Sequence, residues 1–440
     1  MVVHAEPPSE PDMSRQWRQS APRLDPDTAE YFRRALETLE EGAERGGARP
    51  SSQGGGAKGK EGGAKSKGGV VTARGAELPP SFRPLLEELA QGLEQQIPAL
   101  LSPACASLCL QGALRALHRS QSPSCARFCR ALIGCLSQDS PAHDQSPLLT
   151  SLQDPDRSRL LEAAMTVLDP PGLRELFRGH LRGHLRGVAS HRVANHGLQR
   201  LLDHAPEDVV SEVLSELGPA LQEPLARGHP GVILALLGAA LRHPRLQGEA
   251  LRSLFQALRC WAPPHHPHCV TALAQLRPLE GGDSGEEAEP EPRPPSPIGS
   301  RALQLLLHFR DPAPIVGGLR ALPRPALPGL ARSPPGSRIW DAILGSPNVP
   351  KNDKKRLLKR LKGHWGALAM DKSGSRVLDT AWACSPLQQR VQMASELAPL
   401  LPRLLRDPLG RGVARRLSLE LFLRLRPRWE GLQRGRGLQL

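Results

Sequence analysis

The chain has 440 residues and carries 58 Lys and Arg against 44 Asp and Glu, a formal net charge of +14. Only 7 Phe, 6 Trp and 1 Tyr are present, too few for an aromatic-rich β-sandwich or a base-stacking sheet of the RRM kind. The 42 Gly and 45 Pro make up about a fifth of the chain, so part of it is linker, and eight Cys in this length are not a disulfide framework. Leu and Ala dominate the apolar set while Val and Ile are scarce, which is helix composition. The charge favours anionic partners. Only ten of the basic residues are Lys, however, and none lies between Lys67 and Lys351. A composition bias toward Arg, Ala, Gly and Pro is therefore an alternative source of that charge.

Residues 1–27 are polar and Pro-rich and read as disordered, without the basic flank and apolar core of a secretory signal. A short amphipathic helix is expected within 28–40 (AEYFRRALETL), followed by a Gly/Lys-rich linker over 41–79. Leu recurs at spacings of 3 and 4, with Pro and Gly breaks, over 80–279 and 299–430. Between these stretches lies an acidic, Pro-rich insertion at 280–298, and 431–440 is a tail. The longest apolar run, Val232 to Leu241, is too short to span a bilayer. The chain thus reads as soluble and intracellular, with no membrane partner. Two basic stretches suit nuclear import factors. KGKEGGAKSKGG (58–69) is equally a flexible linker, and KNDKKRLLKRLK (351–362), with Leu357, Leu358 and Leu361 at helical spacing, is equally a solvated amphipathic helix.

The helices repeat. Gly-Ser-Arg opens a helix at Gly299, Gly336 and Gly374, and DKSGSRVLDT (371–380) aligns with DPLGRGVARR 36 residues on. Upstream, RSRLLEAAM, SHRVANHGLQRLL and RGHPGVILALL follow at 37 and 36, and Leu217 and Leu397 lie 180 apart, five periods of 36. Eight corresponding helices begin near Ser107, Ser158, Asn195, Gly231, Ser300, Ser337, Ser375 and Arg411. A unit of this size cannot bury its apolar face alone, so stacked copies are expected to form an all-α, right-handed solenoid with a continuous core. Pro323, Pro325 and Pro328 are expected to break the helix before Ser337.

A period near 36, with helices opening D-x-x-G-[S/N]-x-x-x-[Q/E], resembles the Pumilio repeat. That resemblance implies three helices per repeat, the second lining a concave RNA-binding face and meeting one base through positions i, i+1 and i+4. Positions i and i+4 share one helix face, and i+1 is rotated by about 100° and suits stacking. The implied triplets are Ser107-Leu108-Gln111, Ser158-Arg159-Glu162, Asn195-His196-Gln199, Gly231-Val232-Ala235, Ser300-Arg301-Gln304, Ser337-Arg338-Asp341, Ser375-Arg376-Asp379 and Arg411-Gly412-Arg415. In the family, Asn/Gln pairs uracil, Ser/Gln adenine and Ser/Glu guanine. Here Gly231/Ala235 can read nothing, Asp341 and Asp379 are one methylene short of Glu, and Arg411/Arg415 suits a phosphate. In order along the chain, YFRRALETL, SRLLEAAMTVLDPPGLRELF, VANHGLQRLLD, GHPGVILALLGA, SPPGSRIWDAILGSP and LKGHWGALAMDKSGSRVLD are similar to segments of one branch, the Pumilio-like nucleolar protein 9 family. Residues 41–75 sit where that family's first repeats are expected. The resemblance implies a nucleolar protein that binds precursor ribosomal RNA in pre-ribosomal particles. It would act in small-subunit (18S) rRNA maturation by restraining a processing nuclease.

Other constellations are weaker. His265, His266, His268 and Cys269 lie among Pro residues without a second pair at zinc spacing, so no metal is expected. Cys105/Cys109 and Cys125/Cys129 read as buried core, and GHLRGHLRG (179–187) as one helix with His180/His184 and Arg182/Arg186 each a turn apart. No catalytic motif appears, which points to a protein that is not an enzyme and takes no cofactor or small-molecule substrate. The rival function is a HEAT- or armadillo-like scaffold for protein partners.

Overall fold

The computed structural model describes residues 82–101, 104–138, 146–260, 268–279 and 294–435. The expected disorder, short helix and linker before residue 80, and most of the 280–298 insertion, lie outside these. The chain divides into two compact units, Met1–Leu86 and Glu87–Leu440, and the second contains no strand among its described residues.

Its helices come in threes, as in Leu185–Ser190, Ala194–His204 and Glu207–Leu217. In the middle one, Ala194, Leu198, Leu201 and Leu202 form one buried stripe; in the third, Val209, Val210, Val213, Leu214 and Leu217 do. Each fully buried aliphatic side chain stabilises by roughly 1.5–3 kcal/mol, so the apolar periodicity alone fixes which faces turn inward. The eight second helices are α1 (Ala104–Arg119), α2 (Pro155–Val167), α3 (Ala194–His204), α4 (Gly231–Arg242), α5 (Pro297–Leu307), α6 (Pro334–Gly345), α7 (Gly374–Cys384) and α8 (Pro408–Leu417). Each packs on the next, from α1 to α8. Although almost two periods separate α4 from α5 in sequence, they are neighbours in space, with helix Cys269–Gln275 packed on α5.

The repeated tripeptide has a packing reason. Four residues before position i, a Ser or Asp caps the helix. Ser296, Ser333 and Asp407 accept from the N–H of Gly299, Gly336 and Gly410, and Asp371 accepts from those of Ser373 and Gly374 at 2.9 and 2.7 Å. The glycine follows because the second helix lies on backbone of the first. A β-carbon at Gly299 or Gly336 would collide with the carbonyl of Ala274 or Leu330, and one at Gly410 would lie 2.8 Å from that of Leu404.

The expected break falls at Pro323, directly after helix Ala313–Ala321 and its C-cap Leu322, whereas Pro325 and Pro328 break nothing further before α6. They sit at the N-cap and in the first turn of a short helix, Ala326–Arg332, where a missing N–H costs nothing. The stretch 179–187 departs from expectation too. A π-helical turn ends at Leu181, Gly183 takes φ of 85°, and a new helix starts at Leu185. His180/His184 and Arg182/Arg186 therefore do not share one helix face. The break is set from afar: the Glu216 carboxylate accepts from the N–H groups of Gly183 and Leu185, each at 2.8 Å. Glu396 does the same for Gly363, at φ of 87°, and Trp365, each at 2.9 Å, 180 residues further on.

Helix Lys351–Lys359 is amphipathic as expected, with Leu357, Leu358 and the following Leu361 buried. Cys125 and Cys129 are core residues, but Cys109 is exposed. The buried stripe of α1 runs through Ala106, Leu110, Ala113, Leu114 and Leu117, and Cys109 lies about 100° off it. Cys269 is buried and its thiol donates to the Cys260 carbonyl at 3.0 Å; His265 and His266 lie outside the described residues. Helix Arg426–Gly435 extends into the segment expected as a tail. Its Trp429 is wholly buried, donates to the Leu417 carbonyl at 2.8 Å, and meets Phe422 and Trp382 edge-on. This helix covers apolar surface at the end of the stack.

Candidate nucleic-acid interface

Stacking α1 to α8 lines up equivalent positions on adjacent helices. The residues at i are mostly inside: Ser107, Ser158, Asn195, Ser300, Ser337 and Ser375 are all buried. Their polar atoms face protein. Ser300 donates to the Pro335 carbonyl at 2.6 Å and Ser107 to that of Asp156 at 3.3 Å, each stapling its helix to the next repeat. Ser337 and Ser375 donate back to the carbonyls of Pro334 and Lys372. The Asn195 amide donates to the carbonyls of His191 and Arg192, both at 2.9 Å.

The residues at i+1 face out. Arg159, His196, Arg301, Arg338 and Arg376 are exposed, and Leu108 in the same register is 68% exposed. Among the described residues none of these four arginines has a side-chain hydrogen bond or ion pair. Several arginines elsewhere are engaged. Arg174 and Arg178 pair with Asp208 and Glu212, Arg182 with Glu212 and Arg186 with Glu223, so the basic run at 179–187 is neutralised by the third helix and the one after it. The i+1 row, by contrast, keeps its cations unpaired on successive helices.

The side chains at i+4 fall into two sets. In α2, α3 and α5 they turn back on their own i residue: Ser158 donates to Glu162 at 3.2 Å, Gln199 to Asn195 at 2.8 Å and Gln304 to Ser300 at 3.0 Å. Each keeps spare capacity on its partly exposed end. Gln199 and Gln304 retain one N–H and a carbonyl oxygen, and Glu162 retains acceptor sites. In α1, Gln111 also bonds Ser107, but it is buried and its oxygen accepts from Arg115 at 3.3 Å. In α6 and α7 the i+4 acids reach forward to the next helix instead. Asp341 accepts from Thr380 at 3.1 Å, and Asp379 holds a forked pair with Arg416 at 2.8 and 3.2 Å. Burial pushes the Asp379 carboxyl upward while Arg416 holds it down. In α8, Arg411 donates to the Leu405 carbonyl at 3.1 Å, and Arg415 is exposed.

Arg115, Thr380 and Arg416 were not singled out from sequence. Their signal is positional, at i+8 and i+5 of the repeat, about one turn and one residue beyond the triplet respectively. Among the described residues no three His, Cys, Asp or Glu side chains are grouped to hold a metal, and no helix is long and apolar enough to cross a membrane.

The NOP9-like PUF repeat domain matches residues 52–412. Nucleolar protein 9 of Homo sapiens is 40% identical over 373 residues, covering 81% of this chain and 59% of that protein. Pumilio homolog 23 of Arabidopsis thaliana is 24% identical over 65% of this chain and 38% of its own length. The chain thus spans about three-fifths of the human relative. Among solved structures, that of APUM23-GGAUUUGACGG is similar with a TM-score of 0.69 at 23% identity, over 80% of this chain and 67% of that one. The Puf3 RNA binding domain bound to the Cox17 RNA 3′ UTR recognition sequence site B has a TM-score of 0.53 at 13% identity, over 77% of this chain and 88% of that one. The stacked three-helix units are the fold these structures share. The chain belongs to the NOP9-like PUF repeat family, a family of nucleolar, non-enzymatic Pumilio-repeat proteins.

Proposed function

We propose that this protein binds precursor ribosomal RNA within pre-ribosomal particles and acts in small-subunit (18S) rRNA maturation by restraining a processing nuclease. The observation that carries the RNA reading is the row of exposed, unpaired cations at i+1, Arg159, Arg301, Arg338 and Arg376 with His196 among them, on helices stacked one on the next. Such a row suits a single strand. Planar guanidinium groups stack on bases and attract phosphates, while Glu162, Gln199 and Gln304 present base-edge partners beside them. The curated relatives carry the name Nucleolar protein 9, and the similar Puf3 structure is an RNA complex. The name supports a nucleolar setting, and the complex supports RNA as the partner of this fold.

Crosslinking the protein to RNA in cells and sequencing the attached fragments is the test. Reads concentrated on precursor small-subunit rRNA are expected, with unprocessed precursor cut prematurely when the protein is depleted. Reads spread over messenger RNA, or an absence of crosslinks, would remove the assignment. In vitro, replacing Arg301, Arg338 and Arg376 with Gln should flatten the log-log dependence of affinity on salt by about two, near 0.7 for each lost single-strand contact.

A further inference from the structure

Away from the i+1 row, helix Lys351–Lys359, helix Leu387–Leu397 and helix Arg426–Gly435 enclose an open cleft of about 680 Å³. Everything charged that lines it is positive: Lys351, Lys354, Lys355, Arg390 and Arg434, with no carboxylate among the described residues. Two of the five are already engaged. Lys354 donates to the carbonyls of Leu344 and Ser346 at 2.8 and 2.7 Å, and Arg390 to those of Trp382, Ala383 and Gln433. Lys351, Lys355 and Arg434 remain at the mouth, Arg434 only loosely paired with Glu430 at 3.8 Å.

Two helices begin at this cleft, at Lys351 and at Leu387. Their N-caps are Pro350 and Pro386, which supply no side-chain cap, so the positive ends of both helices are open. A lysine in the first turn opposes the helix dipole, and Lys351 stands there all the same. Two more donors complete the lining. The Ser385 hydroxyl and the Gln433 side-chain amide nitrogen have no hydrogen-bond partner, in residues 4% and 2% exposed. Burial, with Lys351 beside it, pushes the Lys354 ammonium below its usual range. Lys351, Lys355, the Ser385 hydroxyl and the Gln433 amide nitrogen converge with two positive helix ends in a lining that holds no carboxylate, which is the complement of a phosphate group.

We propose that this cleft binds phosphodiester groups of the RNA strand flanking the segment held by the i+1 row. The inference rests on the RNA-binding reading above. RNA is favoured by continuity. Leu344 and Ala383 belong to α6 and α7, the helices that carry Arg338 and Arg376, and lie six and seven residues further along them. At 1.5 Å and 100° per residue, Ala383 lies about 10 Å along α7 from Arg376 and on the same side of that helix, where the next nucleotides of a strand leaving the array would pass, while Leu344 is turned by about 120° from Arg338.

The test compares two RNAs on the full chain: the segment enriched by wild type from a random pool, and the same segment lengthened by six uridines at each end. The variants are K351Q/K355Q and R434Q, all at exposed positions. Wild type should hold the longer RNA more tightly and with a steeper salt dependence. K351Q/K355Q should cancel that advantage, flattening the slope for the longer RNA by about one to one and a half, and leave the short RNA unchanged. R434Q should do the same in part. If both RNAs weaken equally, or neither does, the cleft is not a strand-flanking site. If the variants lose only a thermal stabilisation by inorganic pyrophosphate, its ligand is a small or protein-borne phosphate, and the proposal falls. A wild type that retains neither RNA would instead overturn the RNA-binding reading itself.

Discussion

The carboxamide of Gln199 rests against the α-carbon of Gly231 on the next repeat: a β-carbon there would stand 2.6 Å from both its nitrogen and its oxygen. The triplet at Gly231 therefore reads nothing for a reason beyond its own lack of a side chain. It is the floor on which Gln199 lies while it donates to Asn195. G231A should push the amide off that floor. Because the displaced atoms end a flexible side chain, and Ala is a better helix former than Gly, stability should change by no more than about 1 kcal/mol. The base preference contributed by Gln199 should nevertheless fall. Selection from random RNA checks this; identical enrichment by wild type and G231A would show that the Gln199 rotamer does not matter.

The same amide allows its code to be changed. With one N–H given to Asn195, Gln199 keeps a donor and an acceptor, the pair needed for uracil O4 and N3–H. The double variant N195S/Q199E rebuilds the Ser158–Glu162 arrangement, in which a serine hydroxyl steadies a carboxylate whose free lone pairs suit guanine N1–H and N2–H. Preference at one position should shift from U toward G by roughly the 1–3 kcal/mol found for bidentate base contacts in DNA grooves. A shift at several positions at once would mean that the helix had moved rather than changed its code.

In α7 the same logic meets an obstacle. Asp379 already has Arg416 forked across it, with both side chains partly exposed. Exposed pairs contribute up to about 1 kcal/mol, so the pair weakens a guanine contact without abolishing it. R416Q should raise the preference for G at the position facing α7 by up to about fivefold, and D379A/R416Q should show none. No gain in R416Q would place Asp379 out of reach of a base.

The period, the second helices and the outward i+1 row were legible because each is local. A cap, a glycine and an apolar stripe recur within about ten residues, and repetition averages out the exceptions. The glycine of Gly-Ser-Arg, though, recurs for close packing, and its serine to bond backbone, across repeats at Ser300 and within its own helix start at Ser337 and Ser375, so the repeat signal is stronger than the base-reading signal within it. What sequence misplaced depends on residues about one repeat away. GHLRGHLRG has helical spacing throughout, and only Glu216, more than 30 positions on, breaks it at Gly183. Arg182 and Arg186 look like free cations until Glu212 and Glu223 arrive from other helices. Asp379 looks like a short guanine reader until Arg416 is seen across from it.

That long-range cap is itself open to test. Glu396 accepts from two N–H groups at the start of helix Trp365–Ala369, and a glutamine of the same length offers one oxygen and turns an NH2 toward the second donor. E396Q should cost roughly 1–3 kcal/mol, the range for hydrogen bonds to charged groups, read as a lower urea midpoint with an unchanged slope. E216Q should behave alike, since it occupies the same place five periods earlier. E249Q, at an exposed glutamate, should fall within about 0.5 kcal/mol of wild type. Equal effects at all three would mean that the double acceptance adds nothing.

The start of α3 should give the protein a pH dependence. His191 stands four residues before Asn195, where α7 has Asp371 and α8 has Asp407, and its Nδ1 accepts from the N–H groups of Val193 and Ala194, both at 3.2 Å. Accepting there requires the neutral ring. Burial, helped by the charges of Arg192 and His229, holds its pKa below the usual histidine value. His204, near the other end of α3, is lowered by burial as well. An unfolded chain takes up these protons near pH 6.5, so below that pH it binds more protons than the folded chain. Stability is therefore complete above about pH 6.5 and is lost as the pH falls through the lowered folded values. H191D copies the α7 cap, where Asp371 accepts from Ser373 and Gly374 at 2.9 and 2.7 Å, and an aspartate keeps its charge to about pH 4. The thermal midpoint of wild type should drop between pH 7.5 and 5.5, and that of H191D should drop less, with the remainder due to His204. Parallel curves for the two proteins would show that His191 stays neutral, or stays bound, across the whole range.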